Sequence, residues 1–173
     1  FSKAFDRLAW DPSWQALHAH NVSDHMIWLI QQLYCDKLSI VRGNSTESAA
    51  FKINAGVRQG CVLSARLFTC ALEWAMQEWR EQIQDMGITL CDGFENLTNL
   101  RFAVDLLLFA YSPEEVGIML DLLVVSLSRV GLQLNASKTK VLTTMAQAPV
   151  SLTTPGGLQL SVIPREQAHR WLG

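Results

Sequence analysis

Apolar side chains recur every three or four residues in four stretches of the chain, and this spacing predicts four helices. Asp11 precedes Pro12 and Ser112 precedes Pro113; a capping residue followed by proline is typical of a helix start. Gly131 follows the last stretch and predicts its end. The predicted helices cover residues 11–19, 23–35, 64–84 and 112–130.

Shorter runs of apolar and β-branched residues lie between and after these helices and predict strands. Gly43-Asn44-Ser45 predicts the turn of a hairpin, and Val104-Asp105 predicts a second tight turn. Strands and hairpins interleaved with long helices indicate an α+β fold, with an antiparallel sheet and the helices packed on one face. The length, residues 1–173, fits one domain. The predicted strands cover residues 38–42, 50–55, 88–91, 100–103, 106–110, 132–135, 140–143, 150–153 and 158–162.

The composition is that of a folded protein, since 49% of the residues are hydrophobic and 17% are charged. No apolar run has the roughly 18 residues of a membrane helix, so we expect no membrane association. The four cysteines form no C-x-x-C pair, which favours reduced thiols in an intracellular protein of the cytoplasm or nucleus. The chain begins with phenylalanine and shows no signal peptide, so we expect it to be part of something longer.

Two segments combine residue types that could carry chemistry. A loop at residues 56–60 places Arg58 and Gln59 between two glycines, so backbone and side chains could approach a ligand. A strand-to-helix turn capped by Ser64 explains the same residues without a function. Asp105 is a single carboxylate in an apolar stretch, and a buried carboxylate needs a partner or a metal. A lone aspartate at a β-turn, bonded to its own backbone, is the alternative.

Five segments follow one another in an order and spacing that is more specific than any of them alone. They are F-S-K-A-F-D at 1–6, G-V-R-Q-G-C-V-L-S-A-R-L-F at 56–68, F-A-V-D at 102–105, G-L-Q-L-N-A-S-K-T-K at 131–140 and W-L-G at 171–173. Together they resemble the successive motifs of the reverse transcriptase palm in non-LTR retrotransposons and, more distantly, group II intron proteins. The resemblance covers essentially the whole chain. It implies a polymerase palm-like sheet with part of the fingers and without a thumb.

The resemblance implies an RNA-directed DNA polymerase, with an RNA template, a DNA primer and deoxynucleotides as partners and paired Mg²⁺ ions as cofactor. By position, Phe5 corresponds to the aromatic side chain beneath the nucleotide sugar. Gln59 and Gly60 correspond to the nucleotide-facing loop, and Arg58 to a contact with template or nucleotide. Lys138 corresponds to a lysine near the incoming phosphates. A core role for Phe5 and a merely solvated Lys138 are the alternatives.

The sequence departs from the family at the metal ligands. Mg²⁺ prefers oxygen ligands, and the family supplies one aspartate at the start of the first motif and two at the F-A-D-D turn. Here the first aspartate would precede Phe1, and Val104 occupies the next position. Asp105 is therefore the catalytic and metal-ligand candidate that is left. Val62 and Ala65 replace two prolines of the family, which affects loop stiffness more than chemistry.

One carboxylate cannot hold two divalent ions, so we expect doubtful Mg²⁺ binding and no polymerase activity in this chain. The leading interpretation is a decayed or truncated fragment of a retrotransposon polyprotein. The alternatives are a retained non-enzymatic module that binds RNA or a protein partner, and a full-length parent that is active. We further expect Phe5, Gln59 and Asp105 to converge on one cleft, about the size of a small-ligand pocket.

Overall fold

The computed structural model describes residues 3–43, 46–91, 93–144, 149–163 and 167, and these contain both helices and short strands. The predicted α+β class is therefore confirmed. The helices are α1 (Ala4–Arg7), α2 (Trp10–Ala19), α3 (Asp24–Tyr34), α4 (Val62–Gln82) and α5 (Pro113–Arg129). The strands are β1 (Leu38–Ser39), β2 (Phe51–Lys52), β3 (Asn99–Phe102), β4 (Asp105–Leu108), β5 (Lys140–Leu142), β6 (Ser151–Thr153) and β7 (Gln159–Ile163).

The four predicted helices are confirmed with shifted ends, and the short α1 was not predicted. Helix α4 begins at Val62, before the predicted start at Ser64, because the carbonyl oxygen of Cys61 already accepts the amide of Ala65 at 3.4 Å. Among the described residues, no helix has the combination of length and hydropathy that a membrane crossing requires. The end motif at 171–173, the first two residues, and Asn44 and Ser45 lie outside the described residues.

The strands form three small sheets: β1–β2, β3–β4 and β5–β7–β6. The two predicted hairpins are present as the antiparallel pairs β1–β2 and β3–β4. In the third sheet β7 is antiparallel to β6 but parallel to β5. The prediction of an antiparallel sheet is therefore wrong for the pair β5–β7. The chain reverses direction into β6 and again into β7, which brings β7 back to the direction of β5.

Two predicted strands are wrong. Residues 132–135 form no strand, because Asn135 instead begins a turn: its carbonyl oxygen accepts the amide of Thr139 at 2.9 Å. Residues 88–91 contribute a single bridge between Ile88 and Leu97, whose amides and carbonyls pair at 2.8 and 3.0 Å. A short apolar run therefore marks an extended segment here without specifying a full strand.

The chain divides into two compact units, and the division falls within α4 and at the end of α5. We call Lys3–Ala75 with Arg129–Leu132 the first-motif unit, and Met76–Ser128 with the residues from Gln133 onward the hairpin unit. The buried apolar side chains of the first-motif unit include Leu8, Ala16, Leu17, Ile27, Ile30, Tyr34, Val57, Leu67, Phe68, Ala71, Leu72, Val130 and Leu132. Those of the hairpin unit include Met76, Trp79, Ile83, Met119, Leu120, Leu123, Leu127, Leu160 and Ile163.

Candidate active site

Main-chain hydrogen bonds connect the loop at residues 56–60, which we call the second-motif loop, to the first motif at residues 1–6 and the residues just after it. Both segments belong to the first-motif unit. The amide of Val57 donates to the carbonyl oxygen of Phe5 at 2.7 Å, and the amide of Gly56 donates to that of Leu8 at 2.8 Å. The indole Nε1 of Trp10 donates to the carbonyl oxygen of Gly56 at 2.8 Å, across 46 residues of chain. Two segments that the sequence analysis linked only by resemblance are therefore adjacent in the fold.

The two glycines of the loop have different surroundings. A Cβ on Gly56 would lie 2.7 Å from the carbonyl oxygen of Asp6, which is a steric clash. The φ of 88° is also a conformation that favours glycine, so both the space and the backbone exclude a larger residue. A Cβ on Gly60 would meet nothing within 4 Å, although its φ is also positive at 82°. Gly56 therefore brings the loop close to the first motif, whereas we had expected it to admit a ligand. Gly60 alone faces open space.

The start of the fourth motif lies against the residues that directly follow the first motif. The amide of Ala9 donates to the carbonyl oxygen of Val130 at 2.9 Å. Gly131 has a φ of 77°, and a Cβ there would lie 2.5 Å from the carbonyl oxygen of Arg7. The sequence marks Gly131 as a helix end and as the first residue of a motif, and neither feature reveals this contact with Arg7. The second-motif loop and the start of the fourth motif thus both lie against the backbone of residues 5–9.

Phe5 is half-buried and stacks on Phe68 of helix α4, with ring centroids 4.9 Å apart and an angle of 10° between the rings. Phe68 is itself buried in the core of the unit. One face of the Phe5 ring therefore has a packing role, which was the structural alternative. The role beneath a nucleotide sugar stays a prediction.

A cleft of about 390 Å³ opens beside the second-motif loop. This volume falls within the range of about 300–1,000 Å³ that small-ligand sites occupy. Arg58 and Gln59, both predicted site residues, line it together with Asp6, Trp10 and Lys37. Two cations, an amide and an indole are groups that can hold phosphate and stack on a base. Lys37 and Trp10 were not predicted, because neither belongs to a family motif.

Cys61 ends the second-motif loop and is exposed, next to the first turn of α4. Hydrogen bonds from the backbone and hydroxyl of Ser64, another from the backbone of Leu63, and the charge of Arg58 lower the pKa of its thiol. Burial raises the pKa of the Cys70 thiol, which lies further along the same helix. The loop therefore presents the more acidic of these two thiols.

In the hairpin unit, Asp105 stands where the sequence placed it, next to a tight turn between antiparallel strands. The turn is formed by Ala103 and Val104, and Asp105 is the first residue of β4, paired with Phe102. Ala103 has a φ of 52°, which marks the tight reversal. Asp105 is exposed and Val104 is half-exposed, so the carboxylate is not the buried group that would have required a partner.

The resemblance implies two carboxylates at this turn, and the chain supplies one. Position 104 contributes an aliphatic side chain next to the carboxylate of Asp105. Within the described ranges, no three or more His, Cys, Asp or Glu side chains gather where they could hold a metal ion. Mg²⁺ requires several oxygen ligands, and the doubtful Mg²⁺ binding of this chain stays a prediction.

Lys138 lies in a turn of the hairpin unit that Asn135 organises. The amide of Lys138 donates to the carbonyl oxygen of Asn135 at 3.1 Å and to its side-chain oxygen at 3.2 Å. The Lys138 side chain is exposed, which agrees with both of its predicted roles. Phe5, Arg58, Gln59 and Gly60 belong to the other unit, so the predicted convergence with Asp105 stays a prediction.

The comparison with known families decides what these motifs are. The sequence model described as reverse transcriptase (RNA-dependent DNA polymerase) matches residues 1–173, the whole chain. This chain belongs to the reverse transcriptase family. The predicted family is therefore confirmed.

Two proteins similar to this reverse transcriptase chain are described as products of transposable elements. A retrovirus-related Pol polyprotein from the type-2 retrotransposable element R2DM of Drosophila melanogaster is 31% identical over 137 residues, which are 79% of this chain. A putative uncharacterized transposon-derived protein of Caenorhabditis elegans is 55% identical over 47 residues, which are 27% of this chain. The matched parts make up 12% and 17% of the two relatives, so the chain spans a small share of their length.

Proposed function

We propose that this chain is the palm, with part of the fingers, of a non-LTR retrotransposon RNA-directed DNA polymerase, and that it has no polymerase activity of its own. The observation that carries the proposal is Val104. By the resemblance it occupies a metal-ligand position of the family, and it lies in the turn of the antiparallel hairpin β3–β4. An RNA template, a DNA primer and deoxynucleotides are the substrates that the family membership supports.

The loss of one carboxylate has a large expected effect. When bound, paired Mg²⁺ ions activate a primer hydroxyl and neutralise the leaving pyrophosphate. Valine has no lone pair and cannot ionise, so Asp105 would stand alone at the turn. Electrostatic stabilisation dominates phosphoryl transfer, and removing a ligand to the metals commonly removes most of the activity.

The test is extension of a primer on an RNA template, with Mg²⁺ and deoxynucleotides. We expect no extension by this chain, and none after Val104→Asp alone. In a longer protein with an aspartate directly before Phe1, we expect Val104→Asp to raise extension by several orders of magnitude. Val104→Asn is the matched control, because it has the shape of aspartate without the charge. Robust extension by the unmodified chain, or equal extension with valine, asparagine and aspartate, would refute the proposal.

The second candidate is a non-enzymatic RNA-binding module, and the cleft favours it. Arg58, Gln59 and Lys37 line this cleft, and none of them depends on a metal to contact phosphate. Binding of a fluorescent RNA should then weaken several-fold in Arg58→Ala, and its salt dependence should fall by about one counterion. Arg42→Ala is the control, because Arg42 pairs with Glu47 in the hairpin β1–β2 region, at 2.8 Å. Equal losses in both variants would argue against the cleft.

A further inference from the structure

The start of helix α5 contains a Ser-x-x-Glu pattern that the polymerase motifs do not include. Ser112 precedes the helix, and its hydroxyl accepts the amide of Glu115 at 3.1 Å. In the usual capping box the glutamate reaches back to the amide of the capping residue. Here its carboxylate has two other partners. One oxygen accepts the amide of Gly87 at 2.7 Å and the other accepts the amide of Tyr111 at 2.7 Å.

The amides of Gly87 and Tyr111 belong to two chain segments that lie on either side of a third, the segment that contains β3. Gly87 directly precedes Ile88, which pairs with Leu97 at the entry to β3. On the other side of β3, the ladder with β4 ends where the amide of Phe109 donates to Thr98 at 2.9 Å, close to Tyr111. The middle segment is therefore the strand that leads into the turn, and both outer segments are bound to one carboxylate.

A second contact links the same outer segments. The hydroxyl of Tyr111 accepts the amide of Thr89 at 2.9 Å, although the Tyr111 ring is 70% exposed. An isolated two-stranded hairpin is marginally stable in water. The hydrogen bonds at the base of β3–β4 therefore add stability that the two strands do not provide by themselves. Hydrogen bonds to an ionised carboxylate are roughly twice as strong as neutral ones.

We propose that Glu115 is a positioning residue, whose carboxylate fixes the base of the β3–β4 hairpin and thereby the direction in which the turn presents Asp105. The importance of that direction rests on the proposed function, since Asp105 matches a carboxylate of the polymerase family. Glu115 touches no reacting atom in this role. It acts through the backbone of the hairpin.

The test is amide hydrogen exchange of the whole chain, followed residue by residue by NMR. In the unmodified chain the amides of Gly87 and Tyr111 should be protected, although neither lies in a helix or a strand. In Glu115→Gln only one oxygen remains as an acceptor, so exchange of these amides and of the β3–β4 amides should rise about tenfold. Exchange in the core of α5, at Leu123 and Leu127, should change less than twofold.

Glu114→Gln is the matched control, because Glu114 is exposed and directly precedes Glu115, so the substitution removes the same charge from the neighbouring residue. It should leave the hairpin amides unchanged. The cross-peaks of Ala103 and Asp105 should shift in Glu115→Gln and stay in place in Glu114→Gln, which a general loss of stability would not produce. If Glu115→Gln does not fold, Tyr111→Phe removes the hydroxyl contact alone and should accelerate the same hairpin amides to a smaller extent.

Several results would overturn the positioning role: rapid exchange of Gly87 and Tyr111 in the unmodified chain, a uniform rise across hairpin and helix, or equal effects of the two glutamate variants. None of these measurements requires polymerase activity. Primer extension by the chain with Val104 would refute the proposed function and leave the role of Glu115 standing. A uniform rise in exchange would refute the role of Glu115 and leave the proposed function standing.

Discussion

In the first-motif unit, the motif segments contact one another or neighbouring residues through main-chain atoms. In the hairpin unit, the position on which the proposed loss of activity depends is Val104, whose side chain is half-exposed at a turn. A Cβ on Gly56 would collide with the carbonyl oxygen of Asp6, and a Cβ on Gly131 would collide with that of Arg7. Val104 is half-exposed between two short strands. The fold therefore requires glycine at positions 56 and 131, whereas it does not require valine at position 104.

Under the proposed function, this difference explains how a polymerase pattern can persist without its chemistry. A glycine packed against backbone cannot change without a loss of stability, because its requirement is steric. A metal ligand at a turn can change to valine while the hairpin is preserved, because the strand ladder and the contacts of Glu115 hold it. Under the proposed function, fold and chemistry are therefore carried by different residues in this chain, and Gly131→Ala and Val104→Asp test that separation.

The largest effect on stability should come from Gly131→Ala. The alanine would be forced to a φ of 77° and its Cβ would lie 2.5 Å from the carbonyl oxygen of Arg7. We expect the free energy of unfolding to fall by about 3 kcal/mol, from the left-handed backbone and the steric overlap together. Urea unfolding followed by circular dichroism measures it.

The control for this substitution is Gly60→Ala in the same unit. Gly60 has a similar φ of 82° but open space around its Cβ position, so the backbone term alone should appear, about 1 kcal/mol. Equal losses at the two positions would mean that the approach of Gly131 to Arg7 contributes nothing. The backbone contact between Arg7 and the start of the fourth motif would then carry no stability.

A smaller loss should follow Trp10→Phe. The substitution keeps an aromatic ring beside Tyr34, whose centroid is 5.6 Å from that of Trp10, and removes the bond to the carbonyl oxygen of Gly56. We expect a loss of about 1–2 kcal/mol in the free energy of unfolding, because a part-buried carbonyl group loses its partner. Trp28→Phe is the control: that ring is 52% exposed, and its change should stay within about 0.5 kcal/mol. A larger loss at Trp28 would contradict the role assigned to Trp10.

The sequence was informative where a residue's requirement is local. Pro113 marked a helix start, and the apolar run interrupted by Asp105 marked a hairpin, because caps and turns act within a few residues. Helix α2 instead begins at Trp10, two residues before Pro12, with Ala9 as its N-cap, so the prediction of Asp11 as the cap is wrong. The contacts of Gly131 and Glu115 could not be predicted, because each depends on a segment that is distant in the chain. Nothing near Glu115 in the sequence points to Gly87.

The thiols of helix α4 give a test of the loop at its start. Alkylation proceeds through the thiolate, and the pKa of Cys61 is lowered by its hydrogen bonds with Ser64 while burial raises that of Cys70. At neutral pH we expect Cys61 to react about tenfold faster than Cys70, with its rate levelling off at a lower pH than for an ordinary cysteine. Iodoacetamide labelling with peptide mass analysis measures both rates. In urea the two rates should become similar, and equal rates in the folded chain would contradict the assigned environments.

The smallest change should come from Val104→Asp, the substitution with the largest expected effect on chemistry. Aspartate suits a tight turn better than a β-branched residue, which offsets the loss of the half-exposed apolar side chain. Repulsion from the adjacent carboxylate of Asp105 remains, and salt screens it, so the loss should stay below about 1 kcal/mol and shrink as salt is added. Val104→Asn lacks the charge, so its stability should not depend on salt in this way. Urea unfolding of the three chains at low and high salt measures the difference. A loss of several kcal/mol in both variants would show that Val104 supports the hairpin through its packing. The separation of fold from chemistry would then fail at the position where it was most expected to hold.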